Sequence, residues 1–149
     1  MMSKSRLEYD SYGAAISNVR ILDEKNRVVN ILEHRARYKL VYDVSAVSSV
    51  TSLRHAMAIK TISGLELGGM FSHPDNGSMV NLETGTTTTV EFNFVCIFNA
   101  GVYFINTAIH GVIEKESIIL HRIIDALCFK VLPAEGGVVS GIVDFSTQE

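Results

Sequence analysis

The feature that most limits what this chain can fold into is a two-residue hydrophobic period, carried by one short segment after another. From Thr86 to Phe94, four threonines lead into Val90, Phe92 and Phe94, which alternate with Glu91 and Asn93. β-Branched and aromatic side chains fit a pleated, half-buried surface, so this segment predicts a strand. Tyr38, Leu40, Tyr42 and Val44 fall on one face of another. Helix is the weak competitor: only Ile118 to Leu127 could hold a few turns, and its Ile, Leu and Phe-rich surroundings favour a strand.

Read in order, Ala15 to Leu22 is a strand that stops at the tetrad Asp23-Glu24-Lys25-Asn26, whose side chains suit a hairpin turn, and Val28 to Leu32 returns from it. His55 to Thr61 places Met57 and Ile59 on one side and Ala56, Ala58 and Lys60 on the other. Ser63-Gly64 punctuates it before Leu65-Glu66-Leu67. Ser72 to Gly77 is the longest clear loop. Asn99-Ala100-Gly101 turns the chain into Val102 to His110. Ser117 to His121 and Ile124 to Val131 are two further strands, and Gly136-Gly137 is a hinge to a terminal apolar run, Val138 to Phe145. About eight to ten short strands with turns every 8–12 residues or so predict an all-β sandwich of two antiparallel sheets.

Composition agrees. With 149 residues, 47% hydrophobic and 19% charged, with two prolines, the chain is one domain's worth and not a disordered tail. Its net charge of −3 is no basic footprint, so nucleic acid is not expected as a partner. No apolar run approaches the ~18–20 residues of a membrane helix, and Met1 to Asp10 lacks a signal-peptide core, which together predict a soluble, intracellular chain. Residues 1–12 read as a poorly ordered lead-in, 13–145 as the domain and 146–149 as a tail.

Motifs for chemistry are missing. Gly64, Gly68 and Gly69 are spaced for neither a Gly-x-x-x-x-Gly-Lys phosphate loop nor a Gly-x-Gly-x-x-Gly turn. His34, His55, His73, His110 and His121 do not pair at metal-ligand spacing, so no metal and no cofactor is expected. Cys96 and Cys128 could close an inter-sheet disulfide, but without any Trp the immunoglobulin core signature is unmet, and reduced cysteines are the better reading. Glu114 and Glu116 read as solvated loop charges and not as an acid/base pair, so no enzyme is expected.

The order Ile16-Ser17-Asn18-Val19-Arg20-Ile21-Leu22-Asp23, Asn26-Arg27-Val28-Val29, Met57 to Leu67, Asn99 to His110 and Gly141-Ile142-Val143-Asp144 resembles one family: the C-terminal carbohydrate-binding domain of Wzt-type polysaccharide ABC transporter ATPases. Ala100 stands where that family's Pro-Gly-x-Tyr strand carries proline, and His34-Arg35 where it usually has a Gly-Glu-like turn. The resemblance implies an immunoglobulin-like sandwich, a homodimer that exchanges terminal strands, and non-catalytic binding of the finished non-reducing end of a lipid-linked O-antigen. It also implies a place beside the transporter's ATPase and membrane subunits, at the cytoplasmic face of the inner membrane. The ATPase half has no motif here, so the chain is read as the C-terminal part.

Alternation places a candidate site. If Met57 and Ile59 face the core, Arg54, Ala56, Ala58 and Lys60 face out; if Tyr103, Ile105, Thr107 and Ile109 face in, then Phe104, Asn106, Ala108 and His110 face out. Leu127, Phe129 and Val131 inward leave Ala126, Cys128 and Lys130 outward. As neighbours in an immunoglobulin-type sheet, these strands present an alanine floor, the aromatic Phe104 and polar Lys60, Asn106, His110 and Lys130. Such a surface suits the apolar face and hydroxyls of a sugar, and its cations suit a terminal carboxylate or phosphate, Arg54 above all. The alternative is that the face packs against protein, as a dimer contact or in an adhesion-type sandwich. The loop from Ser72 to Ser78 is a second candidate site, against an ordinary turn cluster, and Val138 to Phe145 is a strand either donated to a twin subunit or folded on its own chain.

Overall fold

The computed structural model describes residues 3–72, 80–134 and 140–147. Every regular element in them is a strand: β1 (Leu7–Glu8), β2 (Ala14–Leu22), β3 (Val28–Val29), β4 (Ile31–Leu32), β5 (Arg37–Ala46), β6 (Val50–Thr61), β7 (Glu66–Phe71), β8 (Val80–Leu82), β9 (Thr87–Val95), β10 (Gly101–Ile113) and β11 (Glu116–Val131). One sheet runs β1-β11-β10-β6-β7, with β4 added to β11 and β8 to β6; the second runs β3-β2-β5-β9. All pairings are antiparallel except β4 with β11, which is parallel. The all-β sandwich expected from the periodicity is what forms.

Between the sheets lies a single core. Leu53, Met57, Ile59, Tyr103, Ile105, Ile109, Leu120 and Ile123 of the first sheet meet Ile16, Ile21, Leu40, Tyr42, Val44, Val90 and Phe92 of the second. Tyr103 packs against Phe98 and Phe129 with ring centroids 5.2 and 5.5 Å away. Tyr42, with no exposed surface, crosses the core and donates its hydroxyl to the Ala56 carbonyl at 3.0 Å, with the Ala108 carbonyl 3.4 Å away. One phenol therefore ties the second sheet to the backbone of β6 and β10.

Three details depart from the sequence reading. The run Val28 to Leu32 is not one return strand: Val28 and Val29 pair with β2, whereas Ile31 and Leu32 pair with β11, so the chain changes sheets at Asn30. The two strands expected at Ser117–His121 and Ile124–Val131 are one sixteen-residue strand, β11. It is bulged opposite Asn106, where Asp125 takes φ 51°. The bulge breaks strict alternation, so Ala126, expected to face out, is only 6% exposed.

At the termini, β1 pairs with β11, Leu7 opposite Ile124, so part of the segment expected as a lead-in joins the sheet. Gly136-Gly137 and Val138-Val139 lie outside the described residues, as do residues 73–78 of the candidate loop. Ser140 to Phe145 forms no strand of its own; it lies against its own chain through an isolated bridge, Val143 to Phe98, and hydrogen bonds from Asn99 to the Ser140, Gly141 and Ile142 carbonyls. Asp144 is held by His34 at 2.8 Å and Arg35 at 2.9 Å, and the His34 hydrogen bond, with those from Ser146, keeps its carboxyl well below the usual range.

Burial pushes the Tyr42 phenol far above its ordinary 10.0. Above pH 10.0 the unfolded chain releases this proton while the native chain keeps it, so Tyr42 lowers stability as pH rises, by up to ~1.4 kcal/mol per pH unit. Tyr42→Phe is expected to cost about 1 kcal/mol at neutral pH through the lost hydrogen bond and to shallow the alkaline decline by one proton's share. Urea melts from pH 7 to 11 measure both.

Candidate functional site

On the outer face of the first sheet, β7, β6, β10 and β11 lie side by side in cross-strand rows. One row is Gly69, Ala58 and Asn106; the next is Phe71, Ala56, Ala108 and Arg122. Because the inner positions of β6 and β10 carry the large core residues, the outer ones are free to be small, and three alanines with Gly69 leave the face concave. A hollow of about 480 Å³ results, walled by Phe71, Glu66, Arg122, Asn106 and Ile124. A second, about 450 Å³, lies on the other side of Phe71, lined by Ser52, Arg54, His110 and Ser117. Gly69 is required here: a β-carbon on it would stand 2.5 Å from the Met57 carbonyl oxygen, within the β6–β7 pairing.

Charge is unevenly distributed over this face. Lys60, opposite Phe104, reaches Asp125 on β11, with Nζ 2.7 Å from Oδ1. The contact misses hydrogen-bond directionality and is chiefly Coulombic. Arg54 and Arg122 have no ion-pair partner among the described residues. The Arg54 guanidinium lies over the Phe71 ring, 5.8 Å from its centroid, and its buried Nε has no hydrogen-bond acceptor there. Phe71 also meets His110 at 6.0 Å. Burial, and then the charges of Arg122 and Arg54, pull the His110 imidazole below its ordinary value of 6.5, so it is neutral at pH 7.

The nine residues singled out in the sequence all lie on β6, β10 and β11, and those three strands are neighbours. Ala56, Ala58, Ala108 and Asn106 line the first hollow, and Arg54 and His110 the second. Phe104, Lys60 and Lys130 line neither: Phe104 sits one row beyond, between Lys60 and Cys128, and exposed Lys130 lies further along, opposite Val102. Both cysteines are free thiols, Cys96 in the core and Cys128 part-buried. Among the described residues, no three His, Cys, Asp or Glu side chains gather as a metal site.

The model of the Wzt C-terminal domain matches residues 5–145. The chain belongs to that family. A solved structure described as the crystal structure of the C-terminal domain of Wzt is similar over 99% of this chain and 89% of its own, at 17% identity and a TM-score of 0.87. At that identity it supports the fold of this Wzt C-terminal domain. Two further structures reach only a TM-score of 0.46 at 11% identity: a Pseudomonas fluorescens alkylpurine DNA glycosylase AlkC bound to DNA, covering 80% of this chain and 30% of its own, and a structural genomics target, SoR45, covering 89% and 95%. Neither bears on the site. No curated protein matches the chain.

Sequence reasoning missed Phe71, Glu66, Gly69, Arg122, Ile124 and Asp125. Phe71 and Gly69 sit on β7, whose pairing with β6 brings an edge strand to the hollow, and Met70-Phe71 before the loop is the signal that could have pointed there. The bulge hides Asp125, which counts as an inward position under strict alternation.

Asn106 has a structural duty as well, since its Oδ1 accepts the Asp125 backbone N–H at 2.8 Å inside the bulge. Asn106→Ala is expected to cost about 1–3 kcal/mol by leaving that amide unpaired. A urea melt measures this, and wild-type stability would free Asn106 for a purely ligand-facing role.

Proposed function

We propose that this face is a non-catalytic binding site for the finished non-reducing end of an O-antigen polysaccharide. Membership of the Wzt C-terminal domain family supports a carbohydrate-binding role in O-antigen export. The observation that carries the placement is the alanine- and glycine-floored hollow with Phe71, 51% exposed, on its wall and Arg122 on its rim. A concavity of small side chains admits a ring; an aromatic face packs on its C–H surface; amide and guanidinium groups answer its oxygens. Two arginines without carboxylate partners among the described residues suit a terminal residue bearing a carboxylate or phosphate, through charge-assisted bonds. On this reading the chain works as a homodimer beside the ATPase and membrane subunits of an exporter, at the cytoplasmic face of the inner membrane.

Calorimetric titration with capped and uncapped O-antigen glycans tests the reading. The capped form is expected to bind, and the uncapped form to bind at least about tenfold more weakly, a difference of ~1.4 kcal/mol. Phe71→Ala and Arg122→Gln should each weaken binding by about tenfold or more, and Ala108→Leu should abolish it by filling the floor. Lys39→Ala, on the outer face of the other sheet, should leave it unchanged. No binding by any glycan at millimolar concentration would overturn the function; wild-type binding by Ala108→Leu would move the site off this face.

A further inference from the structure

We infer that the Lys60–Asp125 ion pair is a stop that makes the first hollow blind at one end, so that the site accepts the end of a polysaccharide and refuses its interior. The inference rests on the glycan reading above and adds residues that decide how the chain is engaged.

Lys60 stands on β6 and Asp125 on β11, and β10 runs between them. Adjacent strands are ~4.8 Å apart, so a contact of 2.7 Å between these side chains requires that they span the outer face of β10. The crossing falls between Phe104, which is opposite Lys60, and Asn106, which is opposite the bulge that carries Asp125. Ala58 and Asn106 form the last floor row of the hollow on that side, with Glu66 of β7, opposite Lys60, on its wall, so the bar lies at the end of the floor.

The bar is built rather than incidental. A positive φ in a β-bulge turns Asp125 out of the core-facing pattern, and the Asn106 side chain holds that bulge. Both charged side chains are largely shielded, at 17% and 12% exposure, unlike a loose surface pair. Ser5 donates to the second Asp125 oxygen at 2.6 Å and also bonds Ser3, so the segment before β1 holds the Asp125 end of the pair. The opposite end of the hollow has no such closure among the described residues. There the wall is Phe71, shared with the second hollow, and a chain whose terminal sugar rests against the bar continues past that ring toward Arg54 and His110. Because Asp125 neutralises Lys60, the anionic group of a terminal sugar is left to Arg122 and Arg54.

Stoichiometry reads this directly. Capped O-antigen glycans of short, intermediate and long chain length are titrated into the full chain by calorimetry, with sedimentation to count domains per glycan. Wild type should load one domain per glycan strand whatever its length. Lys60→Ala/Asp125→Asn, which removes the bar without stranding a carboxylate, should load more domains as the glycan lengthens and should bind uncapped chains as well as capped ones. Lys60→Arg, which keeps the bar, should behave as wild type; Lys60→Ala alone serves if the double variant melts below the working temperature. Loading in proportion to length by wild type, or one-per-strand, cap-selective loading by the bar-less variant, would overturn the stop while leaving glycan binding intact. Failure of wild type to bind any of these glycans would overturn the glycan reading and the stop with it.

Discussion

Burial of Tyr103, Ile105, Thr107 and Ile109 along the inner side of β10 sets the register of the whole first sheet. A slip of one residue against β6 or β11 would turn these four toward solvent and drive Phe104, Asn106, Ala108 and His110 into the core. Such a slip is therefore heavily penalised, and the outer positions inherit fixed neighbours that they do little to enforce. Ala108 faces Ala56, and Asn106 faces Ala58, because Ile109 and Ile105 must be buried. Tyr42 reinforces the arrangement from the opposite sheet, since its hydroxyl reads the backbone beneath those same alanines. The concavity is thus a consequence of the core, with small side chains occupying the places where the core's own demands are absent.

The bulge in β11 is where this logic is interrupted. Two extra residues facing Asn106 let Asp125 leave the core pattern, at the cost of a left-handed backbone that Asp tolerates better than most residues. The freed carboxylate finds Lys60 and Ser5, and its own N–H finds Asn106. Ser5 and Asn106 hydrogen-bond different atoms of one residue and Lys60 balances its charge, so a break in strand pairing is converted into a local polar knot with its main-chain donor paired. An uninterrupted ladder would have placed an apolar or small residue there and left the outer face open along its length.

What could be read from the sequence follows the same division. Period-two alternation is set by burial, and burial is what hydrophobic patterning reports, so the strands through Tyr42, Met57, Phe92 and Ile105 and the outward set on β6 and β10 were legible. Alternation is silent about pairings between segments distant in sequence. Phe71 reaches the hollow only because β7 pairs with β6, and Arg122 only because β11 lies beside β10. It fails outright where the backbone departs from the pleat, as at Asp125, or where a short run divides between two sheets, as at Asn30. Lys60 shows the subtler limit: its outward direction was correct, but its charge is committed to a partner that alternation had placed on the wrong side.

Commitment of charge also gives the face a polarity. At the row beyond Ala58 and Asn106, a cation and an anion compensate each other at 2.7 Å, and Glu66 lies opposite Lys60 on β7. Around Phe71, two guanidiniums stand without an ion-pair partner among the described residues, beside an imidazole kept neutral by its burial and by those same cations. In a partly desolvated hollow, an uncompensated cation attracts an anion more strongly than it would in bulk water, whereas a compensated pair presents little net field. A neutral histidine suits that setting, because a third positive charge would raise the cost of holding the arginines together before an anion arrives. The free potential therefore lies on the Phe71 side and the compensated pair on the Lys60 side, so on the proposed reading attraction and exclusion would act on different parts of a bound glycan and set its orientation.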